Sequence, residues 1–402
     1  MTSRATSAVT PDDIAPGAQA MLDIVAGYGA ELAREAVRAD QSGCFPGRSI
    51  ELLRCHGLLA AGTPRQLGGQ GLDVHALVAI ARKLASYCGS TAMIWAMHHI
   101  QLACLTRCAS ASPAIAGYLA ASARDQHLIA SVTSERGVGG DLRQSKAFLT
   151  HPDDGTVSLE KHATTVSYGA QAGAFLVTVR RHERAAPGDQ VLVLVPASRA
   201  SLEQTGSWNM LGMRGTCSPA FLISAVVPVS HVLPEPFARI ASTCMVPLSH
   251  LLWSAVWTGI AEDAARRAAA YSRAAARSAV QADSGADDPR IGQMHLQLAR
   301  IRDSVHRFSA DYARWAEPDG DADDVEIAIR ANALKVSVST GAMQTAEMAL
   351  QICGMAGYRE DGEYSVTRQL RDLHSAALMI SNARLNLVNS QLLILREAEF
   401  HS

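Results

Sequence analysis

Hydrophobic residues follow two different periods along this chain, and the changes between them divide it into three blocks. In residues 15–126, apolar residues recur every three or four positions, which predicts a helical domain. In residues 127–236, short β-branched and apolar runs such as LIASVTS and QVLVLVPA are separated by Gly, Pro, Asp and Ser, which predicts a small β-sandwich or barrel. In residues 237–402 the helical period returns.

The last block contains four long segments with helical periodicity, which predict an antiparallel four-helix bundle. The fourth segment, residues 368–400, is predicted to be one continuous helix. Residues 1–14 carry no apolar stretch and are predicted to be a disordered tail rather than a secretory signal. The expected fold class is therefore mostly α, with a small β domain between an N-terminal helical domain and a C-terminal bundle.

Composition and charge narrow the range of functions. The 402 residues are 48% hydrophobic and 18% charged, and the net charge is −2, so nothing favours binding to nucleic acid or to an anionic membrane. No apolar run approaches the roughly 18 uncharged residues of a membrane span. The eight cysteines form no Cys-x-x-Cys pair, which argues against a metal site and favours reduced thiols in a cytoplasmic protein.

The most informative segment is QICGMAGYREDGEYSVTRQLRDLHSAALMIS, residues 351–381. It resembles the C-terminal segment of acyl-CoA dehydrogenases, flavoproteins that oxidise acyl thioesters. The resemblance implies that Gln351, Gly354 and Gly357 bind the FAD of a neighbouring subunit, in a homotetramer or a dimer. It also implies that Arg277, in the helix containing AARRAAAYSRAAARSAV, binds the FAD pyrophosphate, because a guanidinium pairs well with phosphate.

Three motifs of the middle block extend this resemblance, which covers about residues 20 to 395. ASVTSERGVGGDL and KHATTVSYGAQAGAFLV resemble the family's flavin-binding segments, which implies that Ser131, Thr133 and Thr165 lie against the flavin ring. The ring carbonyls need hydrogen-bond donors of this kind. Ala163 stands where the family has an aromatic residue, which would leave room for substrate. Thr216, in WNMLGMRGTCSPAFLIS, is expected at the edge of the same pocket.

The catalytic base of the family is missing from its usual position. Counting from the Arg371–Asp372 pair, Ile380 falls where the family has its glutamate, and isoleucine cannot take a proton. Loss of a well-placed base lowers a rate by on the order of 10²–10⁴. His374 and Glu360 are the candidate replacements, and His374 resembles a histidine of two-component flavin monooxygenases.

Three functions therefore remain open from the sequence. The first is a flavin-dependent oxidoreductase that acts on an acyl thioester carried by CoA or a carrier protein, with an electron-transfer flavoprotein as partner. The second is a two-component monooxygenase or N-hydroxylase on the same fold, which receives reduced FMN as a cosubstrate from a flavin reductase. The third is a non-catalytic partner subunit of a homologue.

Overall fold

The computed structural model describes residues 16–151, 154–281, 288–316 and 323–400. The fold is mostly helical with two small sheets, as the sequence predicts. The tail predicted for residues 1–14 lies outside the described residues.

Six helices form the N-terminal block. The hydrophobic periodicity predicts helices here, and side-chain caps stabilise the start of two of them. The side chains of Asp73 and Ser112 accept hydrogen bonds from the backbone N–H groups of Ala76 and Ile115, which would otherwise lack an acceptor in the first helical turn. The helices are α1 (Pro16–Gly27), α2 (Gly29–Ser42), α3 (Gly47–Cys55), α4 (Val74–Ala85), α5 (Gly89–Cys108) and α6 (Pro113–Asp125).

The middle block contains two three-stranded sheets. The strands are β1 (Ile129–Val132), β2 (Thr156–Ala163), β3 (Ala174–Arg180), β4 (Gln190–Pro196), β5 (Ala200–Gln204) and β6 (Phe221–Pro228). The strand orders are β1-β3-β4 and β2-β6-β5, and the β1–β3 pairing is the parallel one. Strands β3 and β4 are buried on both faces, which explains their unbroken apolar sequences.

The C-terminal block is a helical bundle built from α8, α9, α10 and α13. The helices are α7 (Phe237–Ile240), α8 (Val246–Gln281), α9 (Arg290–Trp315), α10 (Asp324–Cys353), α11 (Met355–Tyr358), α12 (Thr367–His374) and α13 (Asn382–Phe400). A π-helical turn, Ala241–Met245, joins α7 to α8. The expectation that no apolar run approaches the length of a membrane span is wrong for one stretch of the described chain, Phe237–Arg277. This stretch is long and apolar enough to span a membrane, but 89% of its most apolar window is buried, as in a core helix.

The continuous helix predicted for residues 368–400 is wrong, because the chain leaves the helix between α12 and α13. The Ser375 hydroxyl donates to the Asp372 carbonyl (2.6 Å), and Ile380 adopts a left-handed conformation with φ of 55°. The Lys335 ammonium of α10 donates to the Ile380 carbonyl over 2.6 Å. A tertiary hydrogen bond therefore holds this break, which contains no Gly or Pro to mark it in the sequence.

Close contacts at α12 join the three blocks. Gly212 lies so close to α12 that a Cβ there would stand 2.0 Å from the Arg371 carbonyl oxygen. The backbone N–H of Met213 donates to the buried Asp372 carboxylate (2.6 Å), and the Arg371 guanidinium pairs with Asp40 of α2. The Arg371–Asp372 pair thus fixes the middle block and the N-terminal block to the bundle.

Candidate functional site

The ends of two strands meet at one edge of the middle block. The Ser134 hydroxyl, just beyond β1, donates to the Thr165 carbonyl (2.8 Å) and accepts from the Thr165 backbone N–H (3.0 Å) beyond β2. Ser131 and Thr133 are half-buried at this edge, and Thr165 is exposed. The side-chain hydroxyls of these three residues meet no hydrogen-bond partner among the described residues. They are therefore free to donate to a bound group.

A glycine-rich loop follows this edge and touches the bundle. Gly137, Gly139 and Gly140 all have positive φ, a conformation in which a side chain is strained. Arg384 at the start of α13 donates to the Gly139 carbonyl (3.3 Å) and pairs with Asp141 (3.2 Å). The loop and the turn before α13 are therefore neighbours, although the sequence separates them by more than 200 residues.

A buried ion pair supports the base of this loop. The Glu135 carboxylate accepts hydrogen bonds from the Ser145 hydroxyl (2.6 Å) and the Ala147 backbone N–H (2.8 Å). Lys161 of β2 lies 3.6 Å from Glu135 and donates to the Thr178 carbonyl (2.6 Å). Burial lowers the pKa of Lys161 to about 8, and Glu135 opposes that shift. The pair ties the loop to the core of the sheets.

The turn around Ile380 carries no acid. Ile380 is 37% exposed, and its carbonyl and the Asn382 side chain accept hydrogen bonds from Lys335 at 2.6 and 2.7 Å. Burial lowers the pKa of Lys335 to about 8. Lys335 was missed by the sequence reasoning, although it shares the buried face of α10 with Ala331 and Val338, a spacing that could have revealed it.

The two candidate bases both lie at the surface. His374 is the last residue of α12 and is exposed. The Glu360 side chain is 72% exposed, and its carboxylate accepts from the Arg371 guanidinium (2.7 Å). Neither residue is enclosed by other groups of the chain, and a catalytic role for either stays a prediction.

The predicted pyrophosphate residues are at a different surface. Gly354 ends α10 with φ of 55° and is exposed, while Gly357 is packed so closely that a Cβ there would stand 2.6 Å from that of Cys353. The Gln351 carbonyl accepts from Arg290 (2.9 Å), and Arg277 is exposed near the end of α8. The turn faces outward, as a contact with a second subunit would require, and its role in binding stays a prediction.

The two remaining pocket residues are enclosed by the middle block. Ala163 is 2% exposed and pairs with Phe221 across the sheet. The Thr216 hydroxyl bonds to the Met213 carbonyl and the Ser218 hydroxyl, both at 2.9 Å. Neither side chain has a free polar group for a ligand, and their predicted pocket role is untested. Within the described ranges, no group of three or more His, Cys, Asp or Glu residues is placed to hold a metal ion.

Comparison with models of known protein families identifies the family of this chain. The acyl-CoA dehydrogenase N-terminal domain matches residues 18–113, and the acyl-CoA dehydrogenase C-terminal domain matches residues 245–379, together more than half of the chain. The chain belongs to the acyl-CoA dehydrogenase superfamily. It is a flavin-dependent oxidoreductase of that superfamily. The unpartnered hydroxyls of Ser131, Thr133 and Thr165 suit the acceptor atoms of a flavin ring.

Three similar proteins are named as a nitrososynthase, a monooxygenase and a probable monooxygenase. The chain is 26% identical to the amino sugar nitrososynthase DnmZ of Streptomyces peucetius, with 90% of each chain covered. It is 24% identical to a dibenzothiophene monooxygenase of Mycolicibacterium goodii, with 87% and 89% covered. It is 25% identical to the probable FMNH2-dependent monooxygenase SfnC of Pseudomonas putida, with 80% of each covered.

Solved structures share the whole fold. FMN-bound TdsC from Paenibacillus sp. A11-2 superposes with a TM-score of 0.83 at 20% identity, covering 94% of this chain and 98% of that one. Butyryl-CoA dehydrogenase from Megasphaera elsdenii superposes with a TM-score of 0.79 at 21% identity, covering 95% and 99%. At this identity the superpositions show the fold alone.

Proposed function

We propose that this protein is a flavin-dependent monooxygenase that takes up reduced flavin from solution and oxygenates a nitrogen or sulfur atom of a small molecule. The observation that carries the proposal is Ile380. Thioester desaturation needs a base at the α-carbon, and the described part of the Ile380 turn offers a carbonyl held by Lys335 instead of a carboxylate. Transfer of oxygen to a heteroatom lone pair requires no such base.

The names of the relatives support the same assignment. DnmZ, the dibenzothiophene monooxygenases and SfnC are named for oxidation of nitrogen or sulfur compounds or for use of FMNH2. We therefore favour FMN, delivered in reduced form by a separate flavin reductase, over tightly held FAD. Loose binding of FMN also agrees with the pyrophosphate turn at Gly354, which one chain alone leaves exposed.

The overall reaction balances with dioxygen as the oxidant. Reduced flavin, when bound, supplies two electrons, and the substrate heteroatom supplies two more. One oxygen atom becomes bonded to the heteroatom, and the other leaves as water. The residues of the chain position the flavin. The hydroxyls of Ser131, Thr133 and Thr165 donate to its carbonyls, and Arg384 holds the neighbouring glycine-rich loop at Gly139.

Oxidation of an acyl thioester is the second candidate. It is favoured by an apolar cavity of about 260 Å³ between the middle block and the start of α8, where a thin acyl chain would fit. Leu142, Phe237 and Val246 are among its lining residues. The relative YngJ of Bacillus subtilis, a probable acyl-CoA dehydrogenase, is 26% identical with 85% of this chain and 88% of YngJ covered.

One experiment separates the two candidates. The protein is mixed with FMN, a flavin reductase, NADH and ¹⁸O₂, together with an aromatic sulfide or an aromatic amine. Mass spectrometry is expected to find one ¹⁸O atom per product molecule, with none when the protein is omitted. Bleaching of bound flavin by an acyl-CoA under anaerobic conditions, without ¹⁸O transfer, would reject the monooxygenase in favour of the thioester enzyme.

The Ile380→Glu variant serves as the matched control. If the chain were a thioester dehydrogenase that lacks only its base, this variant would gain desaturation by on the order of 10²–10⁴. We expect no gain in desaturation with any acyl-CoA, because the proposed reaction takes place at a heteroatom lone pair and not at an α-carbon.

A further inference from the structure

A buried ammonium without a counter-ion lies between the helices of the bundle. Lys335 of α10 is fully buried, and its hydrogen bonds go to the neutral Ile380 carbonyl and the neutral Asn382 amide. It also lies 5.6 Å from the ring centre of Trp257. Within the portion of the chain that the structure describes, no carboxylate lies within ion-pair distance of this group. Buried charges in proteins are otherwise paired, because desolvation of a lone charge is expensive.

The other fully buried lysine shows that the fold can supply a counter-ion. Lys161 is buried to the same degree, yet Glu135 stands 3.6 Å from it. Burial of a lysine in this fold therefore does not by itself mean that the lysine lacks a carboxylate partner. No described residue supplies this negative charge to Lys335, and a bound anion would supply it.

Helix α8 also carries an unpartnered hydroxyl, one turn before Trp257. Ser249 and Thr258 satisfy their hydroxyls by donating to the carbonyl four residues earlier, at 2.6 and 2.8 Å. Ser254 lies between them on the same helix and is fully buried, but its hydroxyl has no such bond. Buried polar groups without partners are rare, and an unfilled one points to a bound water or ligand.

Three rings on α8 complete the cluster. Among the described residues, the buried indole N–H groups of Trp253 and Trp257 have no acceptor. The His250 ring has only a contact with the Ala331 backbone that lies outside normal hydrogen-bond geometry. The ring centres of Trp253 lie 6.3 Å from His250 and 6.4 Å from Trp257. Spacings of three, four and seven residues place these groups on one side of the helix.

The cluster has a surplus of donors. Indole N–H groups donate only, and an ammonium has no acceptor atom. Burial and the nearby Lys335 lower the pKa of His250 to about 3, so its imidazole is neutral and supplies no counter-charge. The complement of such a set is an anionic group rich in acceptors, attached to a flat apolar body that packs against the rings.

We propose that Lys335, Ser254 and the two indole N–H groups bind the carboxylate of an aromatic acid, with Ile380 forming the wall of the site. The carboxylate supplies the missing counter-ion and accepts the unpartnered N–H and O–H groups. The anion site stands on these contacts alone. The identification of the acid as the substrate rests on the function proposed above, and the substrate class would then be an aromatic acid that carries an oxidisable nitrogen or sulfur.

The test uses the purified chain, with benzoate as the probe and benzamide as its neutral isostere. Binding is followed by the melting temperature and by tryptophan fluorescence. Benzoate is expected to raise the melting temperature and benzamide is not. Lys335→Met is expected to weaken benzoate binding by about tenfold or more, because a charge-assisted hydrogen bond is lost. Lys83→Met, a partly exposed lysine over the Tyr87 ring, is expected to leave binding unchanged.

A second variant keeps the test informative if Lys335→Met fails to fold. Trp257→Phe keeps an aromatic ring, though a smaller one, and removes the indole donor, and it is expected to weaken benzoate binding by several-fold. Equal binding of benzamide, or benzoate binding that survives in both variants, would overturn the proposal. So would displacement of benzoate by reduced FMN under anaerobic conditions, because the anion site would then belong to the flavin.

The outcomes also separate this inference from the proposed function. Benzoate binding that depends on Lys335, together with a failure of all ¹⁸O transfer, would retain the anion site and reject the monooxygenase. Oxygen transfer to neutral sulfides without any binding of benzoate would retain the monooxygenase and reject the anion site.

Discussion

Ile380 stands where the resemblance to the family predicts a glutamate, and its backbone conformation is unusual for a β-branched residue. A β-branched residue with φ of 55° is strained by on the order of 1–3 kcal/mol. The buried Lys335 ammonium holds its carbonyl and so maintains this conformation. Strain of this kind persists only where the surrounding structure enforces it, which marks the turn as a fixed wall of the site.

Replacing Ile380 by glycine is expected to stabilise the protein. Glycine adopts positive φ without a steric penalty, so Ile380→Gly should raise the free energy of unfolding by about 1 kcal/mol, measured by urea denaturation. The exposed Leu378, which lacks positive φ, provides the control, and Leu378→Gly should lower stability by about 0.5–1 kcal/mol. A loss of stability in Ile380→Gly would show that burial of the side chain outweighs the strain.

At this scale the sequence predicted residues that belong to recognisable motifs. Ser131, Thr133 and Thr165 were predicted from short segments, and they stand at or just beyond the ends of β1 and β2, which Ser134 joins. Their contact with a flavin stays a prediction. Lys335 was missed because a lysine in a helical segment is ordinarily solvated, although its spacing from Ala331 and Val338 places it on the buried face of α10.

At the scale of elements, α12 is the joint between the blocks, and its buried Asp372 should make stability depend on pH. Burial raises the pKa of Asp372 from 3.8 to about 6. A raised carboxyl pKa gives stability that is complete below about pH 4 and is lost as the pH rises through 6. This change corresponds to on the order of 2–3 kcal/mol.

The Asp372→Asn variant removes this titration but retains an oxygen that accepts from the Met213 N–H. The melting temperature of the variant relative to the natural protein is therefore expected to increase between pH 4 and pH 7. A difference that stays constant over this range would show that Asp372 does not titrate there.

Two elements of secondary structure could not be predicted from the periodicity of apolar residues. The break between α12 and α13 has no helix-breaking residue, because its cause is the tertiary bond from Lys335. Strand β5 was not predicted because most of its residues, Ala200–Gln204, are polar and exposed, and only pairing with β6 makes it a strand. The other five strands were predicted, since their apolar runs reflect burial.

At the scale of the whole molecule, the order of three blocks follows from periodicity, whereas association of chains does not. Helix α13 presents apolar side chains to solvent on a single chain. These are Leu387, Leu393, Ile394 and Leu395, with exposed fractions of 59%, 46%, 68% and 64%. An apolar surface of this kind is typical of an interface between subunits.

Oligomers are therefore expected in solution, as the sequence comparison with the family also implied. The double variant Leu387→Lys/Ile394→Lys, seven residues apart on one face, should shift the mass measured by light scattering toward the monomer. Leu296→Lys on α9, where the side chain is 62% exposed, serves as the control and should leave the mass unchanged. A monomeric natural protein would contradict the prediction outright.

The ion pair between Asp40 and Arg371 constrains the order in which parts of the protein can fold during synthesis. Its two residues are 331 positions apart, so α2 meets its partner only when nearly all of the chain has left the ribosome. The N-terminal helices must wait for that contact with part of their apolar surface uncovered. Chaperone binding to nascent chains should therefore last until α12 emerges, and C-terminally truncated chains should aggregate even though all residues of the flavin edge are present.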